Sequence, residues 1–221
     1  MTQMTQISEE LRSRLRTDYQ AVRPLASPMA RSIWLLPLAA LTIGAAPLVF
    51  DIRGDAIRLG WFGLWGASGL QVVAGLALIV AALREAVPGR GWNQTAAALW
   101  ITLPLALVLL VTLNSWEASP GLVRGGWWLV GVLCFGGSLA SALPVVALAS
   151  VLAARAYPTR PALAGALLGL GAGLLADAGW RVFCHFSEPA HVLSAHAGAV
   201  LVSMLVGAVL APSICRAQRK S

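Results

Sequence analysis

The chain has 221 residues, of which 58% are hydrophobic and 11% charged, with a mean hydropathy of +0.76. Such values belong to membrane proteins and exclude a water-soluble domain with an ordinary polar surface. The formal charge of +7 raises the question of a nucleic-acid surface, but the cations are placed as a membrane topology signal, which excludes direct nucleic-acid binding as their purpose.

Residues 1–31 form a polar, charged tail. Ser8 is a good helix N-cap, Glu9 and Glu10 follow where negative charge suits a helix start, and Leu11, Leu15, Tyr19 and Val22 recur every three or four residues. Pro24 closes the segment. The spacing predicts a short amphipathic helix, its apolar stripe opposed by Arg12, Arg14, Arg16 and Asp18. Such a helix is marginal alone in water, so something must cover the stripe: the membrane surface, the protein's own loops or the groove of a partner.

Uncharged runs then fill residues 32–50, 59–83, 95–116, 125–154, 161–175 and 192–215. Nearly all reach the ~20 residues a helix needs to cross the hydrocarbon. The fifth does so only if it continues to residue 183, which sets Asp177 and Arg181 one turn apart near a membrane surface. Lipid offers no partner to backbone amides and no alternating strand pattern is present, so the fold class is all-α: a six-helix transmembrane bundle over 32–215 with a short N-terminal amphipathic helix and a basic tail at 216–221. The first apolar run starts too late and is too long for a cleaved signal peptide. Pro37, Pro104 and Pro144 interrupt spans and predict bends. Trp34, Trp61, Trp92, Trp116, Trp127, Trp128 and Trp180 sit at span ends as interfacial anchors.

The side of each connection follows from Lys and Arg. The tail carries Arg12, Arg14, Arg16, Arg23 and Arg31, the second connection Arg84 and Arg90, the fourth Arg155 and Arg160, and the C-terminus Arg216, Arg219 and Lys220. These twelve face one side; Arg53, Arg58, Arg124 and Arg181 face the other, which places both termini in the cytoplasm. Gly165, Gly169 and Gly173, with Ala195, Ala199, Ser203, Gly207 and Ala211, form small-residue ridges that predict a tight hairpin of spans five and six.

Cys134 and Cys184 fall in the same outer leaflet, whereas Cys215 lies at the inner end of span six. An oxidising periplasm permits a disulfide between the first two. His185, Glu188, His191 and His196 follow Cys184, and thiols with imidazoles suit copper, zinc or another soft metal, although the spacing matches no defined ligand signature. A membrane thiol oxidoreductase is disfavoured by the absence of Cys-x-x-Cys, and a small transporter or metal exporter by the absence of acidic residues near the middle of any span. Ser138 and Ser141 have no base at matching depth, so no catalytic residue is assigned and no enzyme is expected.

The segments AVRPLASPMARSIWLLPLA, CFGGSLASALPVVAL, RAYPTRPALAGALLGLGAG and CHFSEPAHVLSAHAGA, in this order, resemble membrane anti-sigma factors of the NrsF type over nearly the whole chain. The resemblance implies a six-span bacterial inner-membrane protein with a cytoplasmic tail that sequesters an extracytoplasmic-function sigma factor, the contact falling around Leu11, Leu15, Tyr19 and Val22. It also implies that Cys134 and Cys184 sense oxidants or heavy metals. His185, Glu188, His191 and His196 are auxiliary candidates, and Cys215 has no implied role.

Overall fold

The computed structural model describes residues 9–18, 24–118 and 127–220, and every regular element among them is helical. The helices are α1 (Glu9–Asp18), α2 (Pro28–Ile33), α3 (Leu36–Val49), α4 (Ala56–Glu85), α5 (Gln94–Ala118), α6 (Trp127–Ala154), α7 (Pro161–Phe183) and α8 (Pro189–Gln218). Within α4 and α8 lie π-helical turns at Phe62–Gly66 and Val192–Ala197, and α4 is broken near its start at Gly60, whose φ is +67°. Five helices, α4 to α8, are long and apolar enough to cross a membrane.

The first apolar run does not form the single helix expected over 32–50. It is divided by a turn at Trp34 and Leu35, and Pro37 lies in the first turn of α3, where its fixed φ and missing N–H are tolerated, instead of interrupting a span. At 14 residues α3 alone extends only about 21 Å. Nevertheless α2 and α3 together run the length of the bundle. Arg31 in α2 donates to Leu83 O and Leu152 O at one end, and beyond α3 the Arg53 side chain reaches Ser187 at the other while its N–H bonds Val182 O.

The centre of the bundle is α7, buried almost continuously from Ala164 to Val182. A sequence rich in glycine suits that position because in an apolar surround helices associate by close backbone approach. Toward α8, a Cβ on Gly165 would run into Gly207 O and one on Gly169 into Ser203 O; toward α4, Gly171 meets Gly75 O; toward α3, Gly179 meets Ile43 O. The tight hairpin expected from the ridges is thus present, and α7 continues unbroken to Phe183.

Two placements at the end of α7 also differ from the sequence reading. Trp180 is no interfacial anchor: only 5% exposed, it lies on Gly137 of α6 and donates its Nε1–H to Ser141 Oγ. Arg181 is no surface cation, being buried in an ion pair with Asp177 one turn earlier. In the tail, α1 carries exposed pairs Arg12–Glu9 and Arg14–Glu10 and a half-exposed Leu11. Leu15 lies on α1, while Ser8, Tyr19 and Val22 lie outside the described residues.

Candidate functional site

At the end of the bundle where α7 finishes, side chains from three helices converge. Cys134 is on α6, Cys184 follows the last residue of α7, and His191 and His196 are on the first turns of α8. The sulfur and ring-nitrogen ligand atoms of these four buried residues all lie within 4.8 Å of one another. His191 Nε2 is 3.2 Å from Cys184 Sγ, and the two imidazole centroids are 5.5 Å apart.

Local structure explains the convergence. Gly137, one turn after Cys134, admits the Trp180 ring, and this draws α6 against α7 at the level of the thiols. The π turn Val192–Ala197 does the same for the histidines. In an ordinary α-helix residues five apart point about 140° away from each other, whereas the i→i+5 bonding of a π turn stacks them on one face.

A second layer of polar groups holds the ring of four. Asp177, fully buried, accepts from His196 Nδ1 at 2.8 Å on Oδ1, and from Gln71 Nε2 at 2.7 Å and Arg181 Nε at 2.8 Å on Oδ2. Arg181 also donates to Thr112 Oγ1 at 3.1 Å. With Nδ1 held by the carboxylate, His196 turns Nε2 toward the thiols, the carboxylate–histidine arrangement that orients metal-ligating imidazoles. The network joins α4, α5, α7 and α8 behind the site.

Cys184 lies in the connection between α7 and α8, outside the spans. Its thiol is held well below the usual range, first by a hydrogen bond from Cys134, with burial opposing, and then by His191 and His196. Two thiols and two imidazoles match the donor preferences of zinc and copper(I). Tetrahedral bonds of about 2.0–2.3 Å require donors about 3.3–3.8 Å apart, so the four atoms need only a small contraction. A divalent ion on two thiolates is neutral as a unit, as is a disulfide, and a buried site favours either outcome.

His185 is exposed and stacks on Phe186 at 4.6 Å, and Glu188 precedes α8 with both carboxylate oxygens buried and unbonded; neither joins the ring of four. Cys215 lies near the opposite end of α8. The sequence reading missed Asp177, taken for half of a surface pair, and Gln71, a lone amide in an apolar run whose only signal was its polarity.

No curated protein and no solved structure matches the chain significantly. The profile of a family described as "Negative regulator of sigma F", NrsF, does match, over residues 15–216. With a helical bundle whose five longest members can cross a membrane and a match over most of its length, the chain belongs to the NrsF family of sigma-factor negative regulators.

Proposed function

We propose that this protein is an inner-membrane anti-sigma factor, without enzymatic activity, that holds an extracytoplasmic-function sigma factor on its N-terminal tail and releases it when the site of Cys134, Cys184, His191 and His196 takes up a soft metal ion or is oxidised. The observation that carries this reading is the convergence of four buried donor atoms from α6, the end of α7 and α8. Closing a ligand shell or a disulfide across them draws α6 toward the α7–α8 hairpin. Two imidazoles beside the thiols favour a metal ion; oxidation instead removes two electrons and two protons from the thiols to an external oxidant.

The membrane part, residues 32–215, makes six crossings, with α2 and α3 together supplying the first. An even number of crossings agrees with basic residues at both termini, and with Arg181 neutralised inside the bundle the charge asymmetry becomes steeper. Residues 1–31 and 216–221 are then cytoplasmic, and Cys134 and Cys184 face the periplasm, an oxidising compartment. Leu11, Leu15, Tyr19 and Val22 enter the sigma factor's groove as an amphipathic helix.

The test is sigma-dependent reporter transcription in cells exposed to oxidant or metal. Cys134→Ser and Cys184→Ser are each expected to abolish the response as fully as the double variant, and Cys215→Ser to leave it intact. Alkylation of thiols before and after stress separates the triggers: protection reversed by a chelator marks a metal thiolate, and protection reversed only by a reductant marks a disulfide. A single variant that keeps half the response, or a Cys215 variant that loses it, contradicts the proposal.

A further inference from the structure

At the opposite end of the bundle from Cys134 and Cys184, one buried cation bridges two helices. Arg31 is 4% exposed; its Nη2 donates to Leu83 O at 2.8 Å and its Nη1 to Leu152 O at 3.0 Å. Both acceptors are among the last four carbonyls of their helices, α4 and α6, which have no partner within the helix. A guanidinium satisfies them and complements the negative ends of two helix dipoles at once. Its planar fork fixes the separation of the two carbonyls in a way that a single-point cation does not.

The identity of those two helices matters. Along α6, Leu152 lies 18 residues from Cys134, about 27 Å away. Along α4, Leu83 lies 12 residues from Gln71, about 18 Å, and Gln71 Nε2 bonds Asp177, which in turn bonds His196. The two carbonyls that Arg31 spans therefore belong to the helices that meet the site through a ligand and through the carboxylate behind a ligand. Between them stands α7, packed backbone to backbone against α4 and α8 and able to serve as a fixed reference. Arg31 itself belongs to α2, a short helix capped by Ser27, whose Oγ accepts from Ala30 N, at the point where the tail joins the bundle.

We propose that Arg31 is the coupling residue of the molecule: it registers the displacement of α6 relative to α4 and converts it into a change in the position of α2 and the tail. The inference rests on the metal-responsive site of the preceding section. A shift of α6 that separates Leu152 O from Leu83 O by about 1 Å stretches one of the two bonds past the useful range. The guanidinium then follows one helix or leaves both, and α2 moves with it. Packed elements switch between discrete arrangements in this way.

The experiment uses the full chain in lipid nanodiscs, with Zn2+ as the probe and hydrogen–deuterium exchange as the readout, alongside retention of the sigma factor. In the wild type Zn2+ is expected to slow exchange over residues 184–197 and to change it over residues 24–33. In Arg31→Lys and Arg31→Gln the first effect remains, the second disappears, and sigma release on adding Zn2+ falls to the level without it. Arg31→Lys keeps the buried charge, so it carries the test should the glutamine variant fail to fold. Wild-type coupling to residues 24–33 in either folded variant overturns the inference, as does a wild-type effect at 184–197 that never reaches 24–33. Zn2+ without effect at 184–197 in the wild type instead removes the reading of the site, and this inference with it.

Discussion

Asp177→Asn separates what the carboxylate does for the site from what it does for the fold. The carboxylate accepts three bonds, from His196 on one oxygen and from Gln71 and Arg181 on the other. An asparagine must turn its NH2 to one side. Facing Gln71 and Arg181, it opposes two donors; facing His196, it forces the other tautomer and puts an N–H where Nε2 needs a lone pair. In either orientation Arg181 loses its counter-charge, in the first keeping among the described residues only Thr112 as a side-chain partner, and uncovering a buried charge costs about 3–5 kcal/mol. Losing the group that orients a metal ligand lowers affinity about 10–100-fold, or about 1.4–2.7 kcal/mol. Asp177→Asn is therefore expected to lower both the midpoint of an SDS unfolding titration and the Zn2+ affinity measured against a chromophoric chelator. Adding Arg181→Met removes the stranded charge and is expected to restore most of the stability without restoring the affinity. An Asp177→Asn protein that binds Zn2+ as tightly as the wild type refutes the role given to the network.

Gly165→Ala pushes a methyl into Gly207 O, so the α7–α8 hairpin must open, with an expected loss of about 1–3 kcal/mol in the same titration; Gly136→Ala, whose Cβ meets nothing within 4 Å, is expected to be neutral. A periplasm-active reporter fused after Glu117 is expected to be active and one fused after Gly89 silent; activity at Gly89 inverts the molecule and leaves the cysteines in a reducing compartment.

What the sequence carried was local and periodic. The four-residue repeat of Gly165, Gly169 and Gly173 against Ala199, Ser203 and Gly207 reads directly as a hairpin, because ridge spacing survives in any helix. Counting positions along spans set Cys134 and Cys184 at one level, and their contact depends on how α6 packs against the end of α7. His191 and His196 did not share a face in any α-helical reading, and only a π turn, which leaves no composition signal, aligns them. Trp180 has the sequence neighbourhood of an anchor, and its burial depends on Gly137 of a different helix. Arg31 and Arg181 entered a charge count as surface cations, although their partners are two backbone carbonyls and a carboxylate that adjacency does not reveal for the first and undervalues for the second. The first apolar run was legible as apolar but not as divided, since the turn at Trp34 and Leu35 precedes a proline tolerated at a helix start.

Sigma factor retained on proteoliposomes of the full chain tests the central claim most directly, with protein oriented tail outward and Zn2+ or oxidant supplied to the cysteine side. Wild-type vesicles are expected to hold the sigma factor without a signal and to lose it with one; Cys134→Ser/Cys184→Ser vesicles are expected to hold it under both conditions, and Leu11→Asp/Leu15→Asp vesicles under neither. Retention by the wild type that ignores both signals, or release from the double-cysteine variant that matches the wild type, contradicts control of the tail by this site.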